Sequence, residues 1–334
     1  MKVVFVVSSP KESMCGVADY TTRLASAFAG TGVTAVVEYP NGFSVKTLQD
    51  LRDKHGRDAV FHLQYPSLGM GNSLTPALAP LLFPKCFVTL HEFGLFSVPR
   101  KLIFLTHALL SKKIIFSNEP ERDLYARWFP FSKRRLVVMP IGNNIPRLAE
   151  RQDYGKPHRL VYFGQISRDK GIEIFIETVR RLKEAGRDIQ VGMIGALVEG
   201  HTEIVEMVRA AERDLGVELS LGLPSDQVSH KLAAADMALL PFPGGVTDKR
   251  GSALACLDHG LTLLTTHSEI TPQWLKQASY PVANAEDAAR TASSIMDGIL
   301  PRDPAPEVRS SELKAREWPE IARRHIALYN QSVG

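Results

Sequence analysis

The chain has 334 residues, of which 44% are hydrophobic and 23% charged, and its formal net charge is +4. This length is sufficient for two α/β domains, and the composition is ordinary for a soluble globular protein. No apolar run approaches the length of a bilayer-spanning helix, and three scattered cysteines exclude a disulfide framework and a cysteine metal site. The mild positive charge is compatible with an anionic substrate or a membrane surface.

The first residues, MKVVFVVSSPKES, contain an apolar run that is too short for a signal peptide. We interpret this run as the first strand of a sheet. Widely spaced cysteines in odd number fit a reducing compartment. The sequence therefore predicts a cytoplasmic protein, and its charge is compatible with peripheral contact at the inner face of the membrane.

Short apolar runs alternate with helical patterns through the first half of the chain. The predicted strands are 3–7, 34–39, 59–65, 87–90, 114–117 and 136–139, and the predicted helices include 17–29 and 45–54. This alternation favours a doubly wound parallel sheet. Ligands of such a sheet bind beyond the carboxyl ends of its strands.

Three residues at these predicted strand ends are candidates for ligand binding. Gly16 opens the first helix and lets the backbone approach a ligand there. Gln64 lies at the end of the third strand, next to its last residue Tyr65, and His91 follows the fourth. A lone histidine is often structural, but His91 ends an apolar strand where this fold places its ligand, so we expect it to be functional. The chain has no GxGxxG motif, so a dinucleotide cofactor is not expected.

The pattern of strands and helices restarts after residues 140–157, a stretch rich in Pro, Gly and Asn that we interpret as an interdomain linker. The second set of predicted strands is 160–163, 189–194, 217–221, 237–242 and 262–265, and 318–329 suits a final amphipathic helix. The sequence therefore predicts an α/β protein of two Rossmann-like domains, 1–145 and 155–317, facing a cleft.

The most informative stretch is 160–171, LVYFGQISRDKG. An apolar strand ends at Gly164, a loop carrying Arg168 and Lys170 follows, and Gly171 opens a helix. A strand, a tight turn and a helix N-terminus bring backbone N–H groups and a lysine together, which favours a phosphate. The alternative is an ordinary turn with two solvated cations.

A second loop of this kind, PGGVTDKRGS at 243–252, precedes a helix predicted at 253–259. It contains Asp248, Arg250, Gly251 and Ser252, and a helix start of this composition favours an anion. Here the alternative is a serine cap on a solvated basic loop. Two phosphate-suited helix starts in one domain together predict a diphosphate site.

The order and spacing of these segments resemble a GT-B glycosyltransferase of the large retaining group often called family 4, over nearly the whole chain. YFGQISRDKGIEIFIETV resembles the family's phosphate-binding segment, in which Lys170 matches the family's lysine. Gln165 stands where the family usually has arginine, and Arg168 lies three residues away. VTLHEF resembles the donor-side histidine segment, carried here by His91. The resemblance also implies that a closing helix, 318–334, joins the first domain.

The segment DKRGSALACLDHGLTLLTT is similar to a family segment with two glutamates that have seven residues between them. Those two positions fall on Thr247 and Ala255, so both acids are missing. Asp248 lies beside the first position, and Asp258 lies about one helical turn beyond the second. These two aspartates are the candidates to replace the missing acids.

The resemblance implies transfer of a sugar from a nucleoside-diphosphate sugar, with UDP- or GDP-sugars expected, in the synthesis of a polysaccharide, glycolipid or other glycoconjugate. The leaving phosphate then takes the acceptor's proton on the same face, so no nucleophilic side chain is required. Lys170, Arg168 and the N–H groups of Gly251 and Ser252 complement the diphosphate, so neither a metal nor a cofactor is expected.

In this hypothesis His91, Lys170 and Asp248 are the catalytic residues, and Gly16, Gln64 and the loop 64–71 hold an unidentified acceptor. Nucleic acid is not expected as a partner. Two alternatives stay open: a GT-B phosphorylase or nucleotide-sugar epimerase, and a non-catalytic GT-B subunit that activates a partner. The second follows from the two missing glutamates.

Overall fold

The computed structural model describes residues 1–8, 15–70, 73–148, 155–198 and 202–333. The chain divides into two units, which we call the first and the second unit. The first comprises Met1–Asn144 with Ala315–Gly334, and the second comprises Ile145–Lys314.

The first unit is built around a six-stranded parallel sheet with the strand order β2-β1-β3-β4-β5-β6. Its elements are β1 (Lys2–Val6), α1 (Gly16–Ser26), β2 (Thr34–Glu38), α2 (Val45–His55), β3 (Val60–Tyr65), α3 (Ala79–Leu82), β4 (Cys86–Leu90), α4 (Val98–Ile103), α5 (Leu105–Leu110), β5 (Lys113–Phe116), α6 (Glu119–Trp128) and β6 (Leu136–Val138). Every residue of β3 and β4 is buried, as expected for strands covered on both faces.

The second unit contains another six-stranded parallel sheet, with the order β12-β11-β10-β7-β8-β9. Its elements are β7 (Arg159–Ile166), α7 (Ile172–Glu184), β8 (Gln190–Leu197), α8 (Thr202–Leu215), β9 (Glu218–Leu221), α9 (Ser225–Ala233), β10 (Met237–Leu240), α10 (Gly251–Asp258), β11 (Thr262–Thr265), α11 (Gln273–Ala278), β12 (Tyr280–Pro281), α12 (Ala285–Met296) and α13 (Pro306–Lys314). The two parallel sheets confirm the predicted α/β fold class.

The last helix, α14 (Trp318–Val333), packs into the core of the first unit. Ile321 and Tyr329 are fully buried in the same cluster as the strand residues Phe5 and Phe87. The indole N–H of Trp318 donates to the carbonyl oxygen of Asn143 at 2.8 Å. The amphipathic pattern at the end of the chain therefore forms a helix that covers one face of the first sheet.

No helix among the described residues is both long and apolar enough to cross a bilayer.

Candidate functional site

The strand before the first predicted phosphate loop is longer than the sequence indicated. We expected β7 to end at Gly164, but that prediction is wrong, because β7 continues through Gln165 to Ile166 and pairs with β8 along its whole length. Gly164 lies opposite Gly195, and a Cβ atom on Gly195 would overlap the carbonyl oxygen of Gly164. The two strands can stay paired this far only because a glycine occupies position 195.

The helix that follows begins as predicted, directly after Gly171. This glycine has a φ angle of +71°, and a Cβ atom there would overlap the carbonyl oxygen of Pro241, just beyond β10. Only glycine satisfies both requirements. The turn therefore holds the N-terminus of α7 against the end of β10, with the free N–H groups of its first turn at the carboxyl edge of the sheet.

The side chains of this loop differ in their partners. Lys170 is partly buried and forms no hydrogen bond or ion pair with any residue that the structure describes. Arg168 is exposed, and its Nη2 lies 2.9 Å from Glu203 Oε2 in α8. Gln165 is also exposed, and its carbonyl oxygen accepts a hydrogen bond from Tyr162 Oη at 2.9 Å. Within the described residues, Lys170 is therefore the cation of this loop whose charge is not already paired.

The second predicted helix start belongs to α10, which begins at Gly251 rather than at residue 253. Arg250 is the N-cap residue and makes no side-chain cap, so the alternative of a serine cap at Ser252 is wrong. The guanidinium carbon of Arg250 lies 4.9 Å from the centroid of the Phe242 ring. A Cβ atom on Gly251 would meet no described atom within 4 Å, so this helix start has open space beside it.

The end of β7 lies beside the start of α10 within the second unit. A Cβ atom placed on Gly164 would lie 3.7 Å from Ser252 Oγ and 3.6 Å from Tyr162 Oη. Burial raises the pKa of Tyr162, the Arg250 charge opposes that rise and the Glu173 charge adds to it. The arrangement brings the helix start of α10, the end of β7 and a cation together, which suits an anion with two charged groups.

The two aspartates considered as replacements for the missing acids lie at different places. Asp248 is partly buried in the loop before α10 and has interactions of its own. A turn in which the N–H of Arg250 donates to the carbonyl of Thr247 at 3.0 Å encloses it. Asp258 is the last residue of α10, at the opposite end from Gly251. The structure therefore keeps Asp248 near the helix start and does not bring Asp258 there.

In the first unit, the two strand-end candidates form a pair. Gln64 is the penultimate residue of β3, His91 follows β4, and His91 Nε2 lies 3.0 Å from Gln64 Oε1. Because an amide oxygen only accepts, His91 carries its hydrogen on Nε2. Both residues are buried, and the Tyr20 ring of α1 meets the His91 ring edge-on with centroids 5.3 Å apart.

Two buried polar atoms at these strand ends, one of them in the pair itself, have no hydrogen-bond partner among the described residues. One is Gln64 Nε2, and the other is the hydroxyl of Ser117, which follows the neighbouring strand β5. Buried polar groups are normally satisfied, so both atoms are suited to a polar ligand at this sheet edge. Sequence reasoning missed Ser117, because its hydroxyl differs from other strand-end hydroxyls only through its burial.

The remaining first-unit candidates are less defined. Gly16 is the exposed first residue of α1, but residues 9–14 of the loop before it lie outside the described residues. Gly71, at the end of the predicted acceptor loop, also lies outside them. Asn118, which follows Ser117 at the end of β5, has a structural role, since its side chain accepts a hydrogen bond from the N–H of Glu121 and caps α6. Throughout the described ranges, no group of three His, Cys, Asp or Glu side chains is placed to hold a metal ion.

No family model matches the chain. A GDP-mannose:glycolipid 4-beta-D-mannosyltransferase from Xanthomonas campestris pv. campestris is 24% identical over 189 residues, which are 53% of this chain. The chain spans about half the length of this curated relative, 50%. Sequence similarity therefore covers only part of each protein.

The solved structures resemble nearly the whole chain. A glycosyltransferase from Rickettsia africae superposes with a TM-score of 0.73 at 12% identity, covering 99% of this chain and 98% of its own. The Anabaena protein HepE in complex with UDP superposes with a TM-score of 0.72 at 11% identity, covering 99% and 100%. At such identities the likeness establishes the fold. Two parallel-sheet units and these neighbours together show that the chain has the GT-B fold of glycosyltransferases.

Proposed function

We propose that this protein is a glycosyltransferase that moves a sugar from a nucleoside-diphosphate sugar to an acceptor. The observation that carries the proposal is the approach of strand residue Gly164 to Ser252 at the start of α10, with Arg250 as the N-cap of that helix and Lys170 in the loop that follows β7. The fold shared with a UDP-bound protein supports the same reading.

The proposed chemistry is stabilisation of a leaving diphosphate. When the glycosidic bond to the donor breaks, negative charge accumulates on the diphosphate. The N–H groups at the starts of α7 and α10, with Lys170, complement that charge. Lys170 has no described partner that a ligand would have to displace, so its full charge is available to the phosphate.

A UDP- or GDP-sugar is the proposed donor. HepE has been solved with UDP and with UDP-glucose, and the name of the curated relative specifies GDP-mannose. Asp248 is proposed to accept hydrogen bonds from the sugar's hydroxyl groups, because Thr247 beside it offers only a neutral acceptor. The diphosphate contacts are common to all such donors.

The first unit is proposed to supply the remaining polar contacts. His91, Gln64 and Ser117 lie at the ends of three neighbouring strands, and two of them keep unfilled hydrogen-bonding atoms within the described structure. Such atoms suit a ligand rich in hydroxyl groups. The curated relative's name specifies a glycolipid acceptor, and we propose a lipid-linked glycan as the acceptor class here.

We further propose that the donor's anomeric configuration is retained and that no metal ion takes part. The proposal of retention rests on the family resemblance of the segment around Lys170. The name of the curated relative specifies a beta-D-mannosyl product, so the stereochemistry must be measured directly. Proton NMR of the first product formed from an α-configured donor is expected to show an α linkage, and a β linkage would reject retention. Turnover is expected to be the same with and without EDTA, and loss of turnover on chelation would reject metal independence.

A non-catalytic role is the second candidate. It is favoured by Thr247 and the fully buried Ala255, which occupy the positions of the two acids that the resembled family carries. Such a subunit would bind a nucleotide sugar without turning it over, or would not bind it at all. Binding and turnover must therefore be measured separately.

The experiment is a thermal-shift screen of the purified chain against UDP-, GDP-, ADP- and dTDP-sugars. A ligand at a hundredfold excess over its Kd stabilises the folded state by about 2.7 kcal/mol, which raises the melting temperature measurably. We expect a shift with at least one UDP- or GDP-sugar. The absence of a shift with all four classes would contradict the proposed function.

A further inference from the structure

The side chain of Tyr20 contacts two other rings in the first unit. Tyr20 is 5% exposed and belongs to the buried face of α1, together with Leu24 one turn later. Its ring centroid is 5.3 Å from that of His91 and 5.4 Å from that of Trp318, and the interplanar angles are 78° and 61°. Edge-to-face pairs at such distances are a favoured geometry for aromatic rings. Tyr20 therefore connects a histidine at a strand end to the first residue of α14.

The position of Trp318 is itself fixed within the first unit. Its indole N–H donates to the carbonyl oxygen of Asn143 at 2.8 Å. A Cβ atom on Gly142 would lie 2.7 Å from Trp318 Cε2, so the indole fills the space beside that glycine. A hydrogen bond on one side and a close backbone contact on another leave the indole little room to move. The Tyr20 ring therefore packs against a fixed neighbour.

Two contacts restrain the imidazole of His91 in different ways. The hydrogen bond from Nε2 to Gln64 Oε1, at 3.0 Å, restrains one atom of the ring. Because hydrogen bonds tolerate a range of angles, this bond does not by itself set the tilt of the ring plane. The Tyr20 ring lies against the imidazole at 78° and opposes such a tilt. Gln64 therefore restrains the protonated nitrogen, and Tyr20 restrains the plane of the ring.

We propose that Tyr20 is a positioning residue for His91, and that Trp318 holds Tyr20 in place for this task. The two nitrogens of a histidine are chemically distinct, so a histidine that contacts a ligand must present the correct one in the correct direction. The alternative is that Tyr20 only fills the core, in which case its loss changes stability and not the imidazole. The consequence for sugar transfer rests on the proposed function, in which His91 is catalytic, whereas the orientation of the imidazole does not depend on it.

The first test is nitrogen-15 NMR of the full chain labelled at histidine, at about pH 8, above the usual pKa of the imidazole. It requires neither donor nor acceptor. The His91 resonances are identified as those missing from the spectrum of His91→Asn. We expect Tyr20→Phe, which keeps the ring, to give the wild-type nitrogen shifts. Tyr20→Leu removes the ring, so the Nδ1 and Nε2 shifts of His91 should move towards each other as its two neutral tautomers mix.

The matched control is Phe28→Leu. Phe28 is 1% exposed, lies in the same buried cluster as Tyr20, and has its ring contacts with Phe5 and Tyr329. Its replacement by leucine should lower the melting temperature, as the loss of any buried ring does. The His91 nitrogen shifts should stay at their wild-type values in this variant.

The second test is a double-mutant cycle on sugar transfer. Tyr20→Leu should lower kcat about two- to tenfold, the scale of an edge-to-face ring contact, and leave the Kd for the nucleoside diphosphate unchanged. Tyr20→Phe should keep the wild-type kcat. Because Tyr20 acts through His91, adding Tyr20→Leu to His91→Ala should lower kcat no further.

Two results in a folded Tyr20→Leu variant would overturn the inference. They are His91 nitrogen shifts at the wild-type values, and a loss of kcat that is equally large in the His91→Ala background. The same change of the His91 shifts in Phe28→Leu would also overturn it, because a general loosening of the core would then explain the effect. If the chain proves to have no transferase activity, the NMR test still decides the inference, so the failures of the two proposals are distinguishable.

Discussion

A Cβ atom on Gly164 would lie 3.7 Å from Ser252 Oγ. This contact joins the end of β7 to the start of α10, two segments far apart in the chain. The free N–H groups at the start of α10 therefore lie beside the end of β7, and we propose an anion site there. Its proposed ligand is the diphosphate of a nucleotide sugar.

Arg168 forms an ion pair with Glu203, and it is also a candidate to bind the diphosphate. Substitution of each residue distinguishes these two roles. Both side chains are more than half exposed, so the pair itself contributes little to stability. If Arg168 binds the diphosphate, Arg168→Ala should weaken nucleoside-diphosphate binding about tenfold or more, the scale of a charged hydrogen bond. Glu203→Ala should leave binding unchanged or strengthen it. Isothermal titration calorimetry measures the affinity of each variant for the nucleoside diphosphate. If both variants bind with the wild-type affinity, Arg168 forms the ion pair and does not bind the diphosphate.

His91→Ala should reduce sugar transfer about tenfold or more while the Kd for the nucleoside diphosphate stays unchanged. The reason is that the proposed diphosphate site lies in the second unit, whereas His91 belongs to the first. Steady-state kinetics and calorimetry give the two quantities.

His91 also donates to the buried Gln64 Oε1, so its loss affects structure as well. His91→Asn keeps an N–H donor at this position and serves as the control. A melting temperature restored by asparagine without restored transfer supports a functional role. Transfer restored together with stability would make His91 a purely structural residue.

Asp248→Asn should raise KM for the nucleotide sugar and lower kcat, with little change in the Kd for the bare nucleoside diphosphate. The substitution keeps the size of the side chain and removes its charge, which weakens its hydrogen bonds to sugar hydroxyls. Asp258→Asn, at the far end of α10, is the matched control and should behave like wild type. If Asp248→Asn leaves all three constants at wild-type values, another group orients the sugar.

Acid should destabilise the first unit through buried histidines. Burial lowers the pKa of His325 to about 4 and that of His62 well below its usual value, and the charges of His325 and His91 lower the pKa of His62 further. His325 Nδ1 donates to the Ile321 carbonyl at 2.8 Å, while His62 pairs with Tyr329 and Thr89.

The lowered pKa fixes the direction of the effect. The unfolded chain binds the proton near pH 6.5 and the folded chain does not, so stability is complete above that pH and falls as pH decreases towards about 4. His325 alone should cost about 2 kcal/mol between pH 6.5 and pH 5. Urea unfolding at both pH values measures this, and His325→Leu should show a correspondingly smaller pH dependence. An unchanged pH dependence in that variant would contradict the assignment.

The strand pattern was readable from the sequence because buried parallel strands are continuous apolar runs, and α7 was readable from its helical spacing after Gly171. The end of β7 was not readable. In the sequence, Gly164 is typical of the end of a strand. The strand continues beyond it because Gly164 pairs with Gly195 in β8. That pairing is a tertiary contact, which local patterns do not contain.

Helices α4 and α5 were missed for a related reason. A periodic stripe of leucine normally marks the face turned to the core, whereas here Leu102, Leu105 and Leu109 face solvent. The candidate site shows the same limit. His91 and Gln64 were found from their positions at strand ends, but Ser117 was not. Its hydroxyl is buried without a hydrogen-bond partner among the described residues, and this property depends on tertiary contacts that the local sequence does not contain.

The central claim is that Lys170 helps to stabilise a leaving nucleoside diphosphate. The most direct test is release of UDP or GDP from the donor that gives the largest thermal shift, with Lys170→Ala compared to wild type. The matched control is Lys183→Ala, an exposed lysine in the last turn of the same helix α7. We expect the wild type and the control to release nucleotide at the same rate, and Lys170→Ala to fall about tenfold to a hundredfold or more while remaining folded. Wild-type release rates in a folded Lys170→Ala variant would contradict the account.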